Sequence, residues 1–234
     1  MKAKAILIKN VSYLIVLIYF IFLFIDFKDK NIDNQISLYL KYLSIVICFV
    51  LSLFIGAEGI NIKDKQLVQA ARFFTLIADF YLVILNNCEI GIAAFCIVQT
   101  IYIVRYSAMC KAKRIRLLFL VPINLMLGLV VYQLKLQSLN KTLTVLAAIY
   151  GCLLITSLYL AVKTRQYIIG VGMVLFFMCD TNVALYNIIT RTQNSFSQAE
   201  FIIGFLIWLF YLPSQLLLTL SGFDSKFLKK AFQG

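Results

Sequence analysis

The stretch ILIKNVSYLIVLIYFIFLFI, residues 6–25, gives way at once to DFKDKNIDNQ at 26–35. A run of about 20 apolar residues is the length an α-helix needs to cross the hydrocarbon core of a bilayer. No small-residue cleavage site follows it, so the run is expected to be a retained spanning helix rather than a removed signal. Working outward, apolar segments of similar length fall at 36–56, 67–86, 90–108, 115–132, 143–162, 168–190 and 201–221, each bounded by charges or turn residues. The expected fold is therefore all-α: a single integral membrane domain over residues 1–234, a polytopic bundle of eight transmembrane helices with both termini on one side.

Composition agrees. The chain of 234 residues is 62% hydrophobic and 14% charged, with a mean hydropathy of +0.93. A water-soluble domain is excluded, because soluble domains are only about half apolar. The net charge of +12 would suggest nucleic acid in a soluble protein. In a membrane protein the placement of Lys and Arg carries the information instead, and no nucleic-acid partner is expected. With the amino terminus inside, sixteen of the 22 basic residues fall in cytoplasmic segments, which predicts cytoplasmic termini in a cell membrane. The densest cluster, KAKRIR at 111–116, could touch anionic headgroups, but orientation alone accounts for it. Six cysteines lie scattered without a CxxC pair and read as small hydrophobes. The absence of histidine removes Ser-His-Asp and Cys-His nucleophile systems and every His-ligated metal site.

The informative residues are the polar ones at depth. Eight of the ten acids are expected in loops or at helix ends, among them Asp26 and Asp64. Asp79 and Asp180 remain, each 12 residues beyond the cytoplasmic start of its helix and so about 18 Å into it. A carboxylate there costs about 2.5–3.5 kcal/mol on the insertion scale, which makes it a candidate functional group; the plainer role is interhelical hydrogen-bond glue. Gln99 and Tyr211 lie within about a turn of the same level. Arg72, Thr75, Asp79 and Asn86 share one helix face, as do Asp180, Ala184 and Asn187. Phe95, Gln99, Tyr102 and Tyr106 line a third face; Trp208, Tyr211 and Gln215 line a fourth. Asp79 and Asp180 stand four helices apart, each with an Asn seven residues on, a faint trace of a four-plus-four duplication that predicts facing carboxyls.

RFFTLIADFYLV at 72–83, EIGIAAFCIVQTIYIVRY at 89–106, FFMCDTNVALYN at 176–187 and WLFYLPSQLLLTLS at 208–221 together resemble the YhhN-like lysoplasmalogenase family, with a weaker echo in LYLKYLS at 38–44. The motifs are matched by Asp79, by Phe95 and Tyr102, by Asp180, by Tyr211 with Gln215, and by Lys41. The chain differs in Ala78 for Gly, Gln99 for His, Cys179 for Ser and Tyr42 for Pro, and a glutamine does not titrate.

The resemblance implies eight spans and hydrolysis of the vinyl ether bond of lysoplasmalogen-type lysophospholipids, giving a fatty aldehyde and a glycerophospho-alcohol. Protonating a vinyl ether carbon makes an oxocarbenium-like cation. One carboxyl can supply that proton while an ionised partner stabilises the cation and activates water. Asp79 and Asp180 are the expected catalytic pair, with the assignment of acid and base left open. Gln99, Tyr102, Asn187, Tyr211 and Gln215 are expected to position water and glycerol oxygens, and Lys41 to snorkel toward a lipid phosphate. No metal or cofactor is expected; the partners are the bilayer and a lysophospholipid. Two other readings stay open, a proton-coupled small-molecule transporter and a non-catalytic lipid-binding member.

Overall fold

A computed structural model describes residues 2–110, 141–192 and 198–233. They form eight α-helices: α1 (Lys2–Asp29), α2 (Gln35–Leu53), α3 (Ile62–Asp79), α4 (Cys88–Cys110), α5 (Lys141–Lys163), α6 (Tyr167–Thr192), α7 (Gln198–Leu220) and α8 (Ser225–Gln233). A 3-10 turn at Gly56–Glu58 and a π-helical turn at Phe80–Ile84 complete the regular structure, beside one isolated bridge between Gly59 and Phe223. Seven helices are long and apolar enough to cross a membrane, α3 counting together with its π turn. These are seven of the eight expected spans; the eighth, expected at 115–132, lies outside the described residues, as does KAKRIR. The short α8 was not foreseen.

The chain forms two compact units, one of residues 1–65 and 171–234, the other of residues 66–170. In the first, α1 and α2 make a hairpin. Lys30 turns the chain with a left-handed φ of 48°, and Asn34 caps α2 by accepting from the Ile36 amide at 2.9 Å. Helix α1 buries Ile8, Ser12, Ile15, Ile18, Phe22 and Asp26, a face at three- and four-residue spacing. Against it lies α7, which carries Pro213 inside the helix. Proline has no N–H to donate to the carbonyl four residues back, here that of Leu209, and the Tyr19 hydroxyl of α1 donates to this carbonyl at 2.9 Å. Helix α8 is capped by Asp224 Oδ1, which accepts from Lys226 N at 2.7 Å. It buries Phe227, Leu228 and Ala231 while Lys226, Lys229 and Lys230 stay exposed.

In the second unit, α3 passes into the π turn directly after Asp79 and then reverses through Asn86, whose φ is 52°. Helix α4 returns antiparallel to α3, since Gly91 meets Ala78 and Leu82 near the turn while Tyr102, further along, lies under Arg72. A Cβ at position 91 would collide with Leu82, so a glycine is required where α4 closes on the π turn. Helices α4 and α5 run parallel: Phe95 meets Tyr150 with ring centroids 6.0 Å apart, Gln99 meets Ser157, and Cys110 meets Leu160.

Candidate functional site

Within the second unit, the polar face of α3 points inward. Arg72, Thr75 and Asp79 are all buried, and Asp79 is only 3% exposed. Its position at the junction of α and π turns is notable, because such bulges concentrate at functional sites. From α4, Gln99, Tyr102, Arg105 and Tyr106 are buried as well. One end of the Gln99 amide is held by Ser157 Oγ of α5 at 2.6 Å. The other end has no hydrogen-bond partner among the described residues. The antiparallel register puts Gln99 level with Thr75, one turn or about 6 Å along the axis from Asp79. Beyond it, the Arg72 guanidinium lies 5.7 Å from the Tyr102 ring centre. Tyr102 stacks on Tyr106 with centroids 5.4 Å apart and an interplanar angle of 3°, and Arg105 lies 5.8 Å from the Tyr106 ring.

The first unit holds a different polar layer. Lys41 of α2 and Asp26 of α1 form an ion pair at 2.8 Å with both side chains 0% exposed. Lys41 Nζ also donates to the Ile32 carbonyl at 2.7 Å and lies 5.3 Å from the Trp208 ring centre. Ser37 Oγ donates to the other carboxylate oxygen of Asp26. Gly204 of α7 makes room for this arrangement, since a Cβ there would overlap the Ile32 side chain whose carbonyl binds Lys41. Trp208 packs edge-on against Tyr211 at 5.4 Å, and Tyr211 packs on Phe176 of α6 at 5.9 Å. Helices α6 and α7 are antiparallel, for Gly172 meets Leu218 and Tyr186 meets Gly204. That register puts the half-buried Asp180 level with Trp208 and Tyr211. Gln215 is buried, and its Nε2 donates to Ser214 Oγ at 3.3 Å. Asn187 is exposed and bonds its own helix at the Val183 carbonyl, 2.8 Å away.

A model of the YhhN family matches residues 36–222, most of the chain. The chain belongs to the YhhN family. No curated protein and no solved structure matches it. The segment matched to YhhN contains every candidate site residue read from the sequence, while Asp26 precedes it.

The YhhN structure buries more acids than expected. Asp26 stands at a helix end, in the last turn of α1, but its carboxylate is sealed against Lys41. Asp64, at the other kind of helix end in the first turn of α3, is buried as well. Among the described residues the buried acids are Asp26, Asp64 and Asp79, while Asp180 is half-buried. The Lys41 ammonium stays inside, paired with Asp26, instead of reaching a surface. Arg72, expected on the polar face of its span, and Arg105 are both buried beside the Tyr102 and Tyr106 rings. The signal for Asp26 lay in the spacing of Phe22 and Asp26, which continues the buried face of α1 past the end of the apolar run. Among the described residues, no group of three or more Asp, Glu or Cys gathers as a metal site would.

Proposed function

We propose that this YhhN protein is an intramembrane hydrolase that cleaves the vinyl ether bond of lysoplasmalogen-type lysophospholipids. The observation that supports this most is the Asp79 carboxyl, buried on the polar face of a membrane helix within the family-matched segment. A chain without histidine has carboxyls as its main acid–base groups at depth, and this reaction suits them. A proton is delivered to the vinyl carbon remote from oxygen, leaving an oxocarbenium-like cation at the ether carbon. Water adds to that carbon and loses a proton to an ionised carboxylate. The hemiacetal then collapses to fatty aldehyde and glycerophospho-alcohol. Asp79 and Asp180 divide these acid and base roles. Gln99, with one end of its amide unpartnered, holds the glycerol hydroxyl or the water. Tyr211 and Gln215 line the layer that carries Asp180.

The Lys and Arg bias places both termini at the cytoplasmic face of the cell membrane in this reading. The test is aldehyde release by the purified protein in liposomes containing a 1-alkenyl lysophospholipid. The wild type is expected to turn over, and Asp79→Asn and Asp180→Asn to insert and fold but release no aldehyde. Full turnover by either folded variant rejects the assignment.

A further inference from the structure

Neither carboxyl chemistry nor membrane orientation accounts for two guanidiniums sealed inside the second unit. Arg72 and Arg105 belong to spanning helices, are 2% and 1% exposed, and sit over the faces of the stacked Tyr102 and Tyr106 rings. Cations buried within spanning helices are costly and are kept where they are paired or serve a ligand or a pathway. Beside them the Tyr102 hydroxyl, fully buried, has no hydrogen-bond partner among the described residues. A buried hydroxyl left unpaired costs about 1–3 kcal/mol, so it calls for an acceptor. Between residues 66 and 170 the sequence contains two acids, Asp79 and Glu89.

The spacing identifies the acceptor. Arg72 lies seven residues before Asp79 on the same face, about 10 Å along the helix. In a lysophospholipid the ether oxygen and the phosphorus are separated by the glycerol backbone, roughly 6–7 Å at about 1.5 Å per bond. The remaining distance is within the reach of an arginine side chain. From Asp79 through Gln99 to Arg72 and Tyr102, then one turn on to Arg105, the side chains form a ladder of acid, amide and guanidiniums. It matches vinyl ether, glycerol hydroxyl and phosphate in order.

We propose that Arg72, Tyr102 and Arg105 form the subsite that holds the phosphodiester anion of the lysolipid headgroup, the role the sequence suggested for Lys41. The identity of the lipid rests on the hydrolase reading; the anion site does not.

Binding to the detergent-purified protein is measured by thermal unfolding with three probes: a 1-alkyl lysophosphatidylethanolamine, which has no vinyl ether to cleave, the matching 1-alkyl glycerol without phosphate, and inorganic phosphate. The wild type should bind the phosphate-bearing lipid at least tenfold more tightly than the alkyl glycerol. Tyr102→Phe keeps the ring stack and should lose about tenfold in that discrimination, the worth of one hydrogen bond to a charged group; Arg105→Gln should lose more. Equal binding of the two lipids by the wild type, or undiminished discrimination in a folded Tyr102→Phe, overturns the subsite. Inorganic phosphate stabilising as strongly as the lysophospholipid overturns its assignment to a lipid. A wild type that discriminates yet releases no aldehyde from a 1-alkenyl lipid sinks the hydrolase reading alone.

Discussion

Removing Asp26 should expose how strongly the first unit depends on one ion pair. Lys41 and Asp26 meet at 2.8 Å with no exposure on either side, so water is not at hand to solvate a charge left behind. In Asp26→Ala the ammonium keeps the Ile32 carbonyl and the face of Trp208, but no counter-charge. Breaking a buried pair from one side costs about 3–5 kcal/mol. At about 2–4 °C per kcal/mol for a chain of this size, the expected fall in Tm is roughly 6–20 °C. Lys41→Met should cost a similar amount, because it strands the carboxylate with only Ser37 to bond it. The double variant Asp26→Leu/Lys41→Met removes both charges and should recover most of the loss, since paired buried charges are often replaceable by apolar groups. The assay is thermal unfolding in one detergent, read as a double-mutant cycle. Single variants within about 0.5 kcal/mol of wild type, or a double variant that loses the sum of both, would refute a mutually dependent buried pair.

Three further outcomes follow from other contacts. Tyr19→Phe takes away the hydroxyl that bonds the Leu209 carbonyl and should cost about 1–2 kcal/mol; on a Pro213→Ala background, where the helix supplies its own N–H, most of that cost should vanish in an unfolding cycle. Gly204→Ala should push Ile32 aside and lower Tm, and the loss should shrink in the Asp26→Leu/Lys41→Met background because Lys41 no longer needs the Ile32 carbonyl. Gln99→Leu leaves Ser157 Oγ its bond to the Leu154 carbonyl, so the variant should fold; aldehyde release should drop about tenfold for the loss of one bond near 1.4 kcal/mol, and unchanged turnover would remove Gln99 from the site.

The helices were legible because a bilayer demands long uncharged runs, and seven of them stand where hydropathy put them. The end of α1 was not, because an apolar window stops at the first charge. Asp26 stays helical and buried only because Lys41, fifteen residues away in sequence across the hairpin, neutralises it, and a window cannot see that pairing. The burial of Arg72, Asp79, Gln99 and Tyr102 follows from helical periodicity, so the polar faces of α3 and α4 were readable in advance. The burial of Arg105 was not, because near a span end a basic residue fits the orientation rule equally well whether it faces water or a tyrosine. Nothing in FYLVI announces a π turn, which depends on Gly91 admitting Leu82, a contact between helices.

Vinyl ether hydrolysis leaves an isotopic mark that other routes to an aldehyde do not. Turnover of a 1-alkenyl lysophospholipid by the purified protein in deuterium oxide, with the aldehyde trapped at once by borohydride, should place one deuterium on the carbon next to the former carbonyl and yield one glycerophospho-alcohol per aldehyde. Asp79→Asn should give neither product. An aldehyde free of solvent deuterium, or equal product from the folded Asp79→Asn variant, would contradict proton delivery to the vinyl carbon by this buried acid.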